Sequence, residues 1–255
     1  MIELKHISKT FNRNTEEAVA ALNDVSLVFP DKSFTVVVGS NGSGKSSLLN
    51  ALAGTLRIDD GQIEVNGKDI SRLKDFERSK WIARVFQNPL MGTSPGLSVV
   101  ENFRLAALRS LPKKFHIGTD EKFRQSVKEK LFLLGLGLEG KLDQPMGTLS
   151  GGQRQALTLL MATMTSHTIS DEAKILLMDE PTAALDPKTS AQILNLASRL
   201  IREYGLTAIF ITHQLKDALQ YGGRIICMEA GKIKEDLSGD AKEKLTMSDV
   251  YRWFE

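Results

Sequence analysis

Short apolar runs separated by glycine, proline and asparagine fill the first third of the chain, and apolar residues at helical spacing take over in the middle. Ile2 and Leu4, then Val25, Leu27 and Phe29, alternate with polar neighbours before a turn at Pro30 and Asp31, which predicts antiparallel strands. Val36, Val37 and Val38 form a continuous apolar run, the pattern of a strand covered on both faces. Leu48, Leu49 and Leu52 then share a helical face until Gly54 supplies a stop. Gln62, Ile63, Glu64 and Val65 alternate again and end at Asn66 and Gly67, a hairpin turn, so the antiparallel sheet resumes after the helix.

Farther along, residues 81–86 read as a strand that delivers Gln87, and residues 92–96 as a loop. Residues 99–138 predict helices, with Phe103, Ala106 and Ala107 on one face and Phe123, Val127, Leu131 and Leu134 on a longer one ending near Gly135. Lys113 and Lys114 between them read as a solvated linker. Another helix opens at Ser150, Gly151, Gly152 and Gln153 and carries Leu157, Leu160 and Met161 to about Met164. Its two glycines leave two readings open: a loosely capped helix, or amides bared for the close approach of a phosphate.

Ile175, Leu176, Leu177 and Met178 make a buried-type strand ending in Asp179 and Glu180. Residues 187–204 predict a helix with Ile193, Leu196, Leu200 and Ile201 inward, followed by a strand over 206–212 that ends at His213. Residues 224–228, the turn at Ala230 and Gly231, and Ile233 predict a closing hairpin, and a last helix places Val250, Trp253 and Phe254 for packing. The pattern is α/β: a parallel core, an antiparallel patch and a mostly helical insert.

The 255 residues carry a formal charge of +2, too near balance for a dedicated nucleic-acid surface, and no nucleic-acid partner is expected. No apolar run approaches the roughly twenty residues that span a bilayer, and the amino terminus lacks a signal-peptide pattern, so a cytoplasmic location is expected. Cys227 is the single cysteine and lies in an apolar stretch, which predicts a buried structural thiol.

Candidate chemistry concentrates at strand tips. Gly39, Ser40, Asn41, Gly42, Ser43, Gly44, Lys45 and Ser46 fit the phosphate-loop pattern between a strand and a helix. Glycines let backbone N–H groups turn toward a phosphate, the helix dipole favours its charge, Lys45 adds a cation and Ser46 offers a hydroxyl to magnesium. Asp179 suits a magnesium site reached through water, Glu180 can orient or deprotonate an attacking water, and His213 stands at a third tip.

Together these residues resemble the ATP-binding subunit of an ABC transporter over essentially the full chain. Residues 39–46 match Walker A, 149–153 the signature, 175–179 Walker B, Glu180 the adjoining glutamate, Gln87 the Q-loop, 184–186 the D-loop and His213 the switch histidine. The resemblance implies a P-loop NTPase core with an antiparallel β subdomain (1–90 and 165–255) and an inserted helical subdomain (about 91–164) in one ABC ATPase domain. It implies ATP held by Phe11 stacked on adenine, by residues 39–46 with Ser47, and by Gln87 and Asp186. Mg2+ would sit on Ser46, Gln87 and Asp179, while Glu180, His213 and Lys45 serve catalysis. It further implies a head-to-tail pair in which Ser150, Gly151, Gly152 and Gln153 of one copy close over the ATP of the other.

The sequence departs from many relatives at Met161 and Ala162, where an Arg-Ala pair forming a surface ion pair is common, at Ala184 in place of serine, and in a longer segment over 165–174. Residues 84–93 and 152–163 resemble a bacterial importer branch linked to aromatic amino-acid uptake, with a permease, a separate solute-binding protein, and attachment to the inner face of the membrane through that permease. The permease is expected to dock near residues 87–100. An exporter or lipoprotein-extracting ATPase is the alternative, and a nucleic-acid or ribosome ATPase a weaker one, since the chain has neither a long coiled coil nor a second cassette.

Overall fold

The computed structural model describes residues 1–108, 118–132, 134–163 and 174–254. Among them, strands β1 (Ile2–Phe11), β2 (Val19–Phe29), β3 (Phe34–Gly39), β4 (Asp60–Val65), β5 (Lys68–Asp69), β6 (Ile82–Val85), β7 (Ile175–Asp179), β8 (Thr207–Ile211), β9 (Arg224–Glu229) and β10 (Lys232–Ser238) form two sheets. The smaller is antiparallel with the order β2-β1-β4-β5, and the larger has the order β10-β9-β3-β8-β7-β6. From β9 to β6 every neighbour in the larger sheet is parallel, and β10 closes its edge as a hairpin on β9. The carboxyl ends of β3, β8, β7 and β6 therefore share one edge, where ligands bind in open α/β sheets.

The helices are α1 (Lys45–Ala53), α2 (Asp75–Arg78), α3 (Val99–Ala107), α4 (Glu121–Phe132), α5 (Gly151–Ala162), α6 (Pro187–Glu203), α7 (Leu215–Gln220), α8 (Asp240–Glu243) and α9 (Met247–Tyr251). Strand periodicity divides the core between the two faces of the larger sheet. Val36, Val38, Leu176, Met178, Ala208 and Phe210 join the apolar faces of α3, α4, α5 and α6. Val37, Ile175, Leu177, Ile209 and Ile211 join α1 and the antiparallel sheet. A run such as Ile175 to Met178 is apolar throughout because each face has its own cover.

Expected and observed elements diverge at the ends. The single last helix is instead α8, α9 and a 3-10 turn over Arg252–Phe254. Val250 is buried and Trp253 packs at the core's edge, but Phe254 is 39% exposed and does not pack as expected. Helix α7 has too few residues for a periodic signal. The expectations for Lys113, Lys114, Met164 and residues 165–173 lie outside the described residues.

Candidate nucleotide site

Strand β3 ends at Gly39, and α1 begins six residues later, at Lys45. Gly44 precedes the helix with φ +102°, and a Cβ there would stand 2.3 Å from the carbonyl oxygen of Ala21, so glycine is required on both counts. No side chain caps the amino end of α1, which leaves its first amides for an external acceptor. Lys45 is buried and lies back over the loop, its Nζ donating to the carbonyls of Gly39 and Ser40 at 2.8 Å each. Burial lowers its pKa, against the opposing pull of the Glu180 carboxylate. Ser40, Asn41, Gly42 and Ser46 are exposed, Ser43 is buried, and Ser47 is half-buried.

Asp179 ends β7, and Glu180 follows it in the left-handed region at φ 45°. The Glu180 N–H donates to the carbonyl of Ile211 on β8 at 3.1 Å, and its Oε2 lies 3.1 Å from Nδ1 of His213 just beyond β8. Asp179 receives Nη2 of Arg84 on its Oδ2 at 2.8 Å. Gln87 is exposed after β6, at the same sheet edge. The structure thus gathers Lys45, Ser46, Asp179, Glu180, His213 and Gln87 along one edge. Phe11 ends β1 of the other sheet, partly exposed, with Nζ of Lys9 at 5.8 Å from its ring centroid.

Ser150, Gly151, Gly152 and Gln153 stand elsewhere. They line a cleft of about 930 Å³ with Ala184, Leu185, Asp186 and residues of α6, and no residue of 39–46 reaches it. The loosely capped reading fails: Ser150 Oγ accepts from the Gln153 N–H at 3.2 Å while Gln153 Oε1 accepts from the Ser150 N–H at 3.3 Å, a complete capping box. Gly152 packs against α6 so closely that a Cβ would stand 2.5 Å from Cγ2 of Thr189. Asp186 caps α6, accepting from the N–H groups of Lys188 and Thr189 at 3.1 and 3.0 Å, and hydrogen bonding by the Thr189 side chain, with these amide bonds, holds its carboxyl below the usual range.

Helix α5 is tied to the sheet edge. Gln155 is buried and donates from Nε2 to the carbonyl of Phe86 at 3.1 Å, immediately before Gln87. Met161 and Ala162 are buried and line a groove of about 420 Å³ with Arg84, Met91, Asn102 and Leu105, so this position does not carry a surface ion pair. Asn102 shapes the groove by accepting from the Ser94 N–H at 2.7 Å and donating to the carbonyls of Ser94, Leu97 and Ser98. The 84–86 strand pattern gave no warning of Arg84, and a lone glutamine inside a helix gave none of Gln155.

The ABC transporter family pattern matches residues 22–183. The chain belongs to the ABC transporter family. It is an ATP-binding subunit of that family, an ATP hydrolase with the P-loop NTPase fold. A tyrosine transport ATP-binding protein of Clostridioides difficile (strain R20291) is 37% identical over 259 residues, spanning 100% of this chain and 99% of its own. A phosphonates import ATP-binding protein of Lactobacillus acidophilus (strain ATCC 700396 / NCK56 / N2 / NCFM) is 32% identical over 255 residues, covering 98% of this chain and 94% of its own. A solved ATP-binding cassette, a dimer in a post-hydrolysis state bound to ADP and Pi, superposes with a TM-score of 0.77 at 29% identity over 93% of this chain and 98% of its own. The resemblance to importers is upheld by these relatives.

Proposed function

We propose that this chain pairs head to tail with a second copy around two ATP molecules and drives a membrane permease in the uptake of a small solute, with an aromatic amino acid the leading class. The observation that carries the reading is the separation of two half-sites on one chain. The strand-tip cluster has lysine, carboxylates and bare helix amides, while the capped turn at Ser150 opens into a different cleft. A second copy supplies to each what it lacks.

In this reading the amides of residues 42–47 and the Lys45 ammonium, swung off the carbonyls of Gly39 and Ser40, hold the phosphates. Phe11 offers a ring face to adenine, and Gln153 and Asp186 border the partner's nucleotide. Ser46 and Gln87 would supply hard oxygen donors to magnesium beside phosphate oxygens, and Asp179 would hold it through water. Among the described residues no group of three or more His, Cys, Asp and Glu is placed to hold a metal ion. Bound magnesium would neutralise charge on the transferred phosphoryl group. Glu180 accepts a proton from the attacking water, and His213 fixes the Glu180 carboxylate and faces the terminal phosphate.

Among the described residues no helix is long and apolar enough to cross a membrane, which suits a subunit working through a separate permease on the inner membrane face. The groove beside Arg84 and Met91 is the docking place proposed for it, since Met91 is 69% exposed there while the loop is fixed by Asn102. A solute-binding protein completes the proposed system, and the tyrosine transport relative supports the substrate class. The test is co-expression with the permease genes of the same operon. An isolated complex whose ATPase rises with the loaded solute receptor is expected, and purification of this chain free of every integral membrane protein would contradict the reading.

A further inference from the structure

Residue 84 lies on an edge strand otherwise made of Ile82, Ala83 and Val85, yet it is an arginine, and its guanidinium is spent on polar groups at the site edge. Nη2 donates to Oδ2 of Asp179 at 2.8 Å, Nη1 donates to Oδ1 of Asn50 at 2.7 Å, and the guanidinium carbon lies 4.8 Å from the Phe86 ring centroid. The Arg84 and Asp179 side chains are 15% and 19% exposed, so water screens the pair little. Nε is buried without a hydrogen-bond partner, a cost the fold bears while both prongs of the fork remain engaged. Asn50 stands four residues after Ser46 on α1, one helical turn along the same face. The fork therefore spans the two elements that carry Ser46 and Asp179.

We propose that Arg84 is a positioning residue: by bridging Asn50 and Asp179 it fixes the carboxylate in the orientation that serves the metal, an inference that rests on the magnesium role given to Asp179 above. A planar fork with two fixed acceptors and a ring beneath it has one orientation, which a lysine cannot reproduce in full. Holding Oδ2 leaves Oδ1 as the oxygen available to the metal. Arg84 also forms part of the groove wall, so a group seated in that groove touches the side chain that orients Asp179.

Manganese is the probe. With the full-length protein in excess over a non-hydrolysable ATP analogue, Mn2+ is titrated in and its EPR line shape read, and nucleotide affinity is measured separately in EDTA. Asp179→Asn and Arg84→Ala are each expected to weaken manganese binding about tenfold, Asn50→Ala about threefold, and Arg84→Lys is expected to recover part of the loss, as partners behind metal-ligating groups do. Affinity in EDTA stays unchanged, and the magnesium concentration for half-maximal hydrolysis rises in the same order. If Asp179→Asn weakens manganese binding while Arg84→Ala and Asn50→Ala leave it unchanged, Arg84 is structural only and the inference falls. If Asp179→Asn itself has no effect, the magnesium role of Asp179 falls first. Should Arg84→Ala fail to fold, Asn50→Ala and Arg84→Lys decide alone: wild-type manganese affinity in both overturns the proposal.

Discussion

At Glu180 the backbone turns into the left-handed region, a conformation costing an L-residue about 1–2 kcal/mol. The N–H bond to Ile211 and the contact with His213 hold it there, so its carboxylate meets His213 and lies within electrostatic reach of Lys45. Strain of this kind gathers where geometry matters for function. Glu180→Gln should keep ATP binding and lower the hydrolysis rate by roughly two to four orders of magnitude, the usual weight of a positioned base. Turnover at the wild-type rate would remove Glu180 from that role. Lys45→Ala should act on binding instead, weakening ATP by about 2 kcal/mol, near the value of a hydrogen bond to a charged group, in an equilibrium binding titration. These residues were legible in the sequence because each is a chemical type at a fixed distance from a glycine turn or a strand end. Arg84 was not legible, since nothing in a local window announces that an arginine on one strand reaches a carboxylate 95 residues away.

Elements are held by contacts of the same hidden kind. Helix α1 ends at Gly54, but its last carbonyls are met by Arg78, only 2% exposed, which donates from Nη1 to Ala51 and Leu52 at 2.7 and 2.9 Å. Its Nε and Nη2 donate to Leu73 and Ser71, both at 3.0 Å, so a cation at the negative end of the helix also pins the 71–73 loop. Arg78→Ala removes a donor from two buried and two half-buried carbonyls and should cost about 3 kcal/mol in urea unfolding. Lys242 in α8 donates to the carbonyls of Tyr221 and Gly222, and burial pushes its pKa down to about 8. Because the unfolded chain binds this proton more tightly than the folded one, Lys242 adds to stability as pH rises from about 8 toward the ordinary lysine value of 10.5. A Lys242→Met variant should lose that part of the rise, read as the slope of unfolding free energy against pH. Apolar periodicity disclosed the strands of the larger sheet and α6 because burial there is decided side chain by side chain. It could not disclose α7, or the break of the last helix, where a few residues are set by tertiary contacts.

Over the whole molecule, the sheet edge and the cleft at Ser150 are separate places on one chain, linked by α5, whose Gln155 bonds to the carbonyl of Phe86 just before Gln87. The order of motifs along the chain disclosed both half-sites but not their separation, which depends on the crossover between β6 and β7. In the proposed arrangement, a nucleotide held by both faces would stabilise the pair through its affinity for the closed arrangement, and loss of the terminal phosphate contact would let the pair open. Sedimentation of the Glu180→Gln variant with and without ATP and Mg2+ tests this most directly. A monomer without nucleotide and a dimer retaining two ATP per pair is the expected result. A chain that stays monomeric with its site saturated by ATP would contradict the shared site.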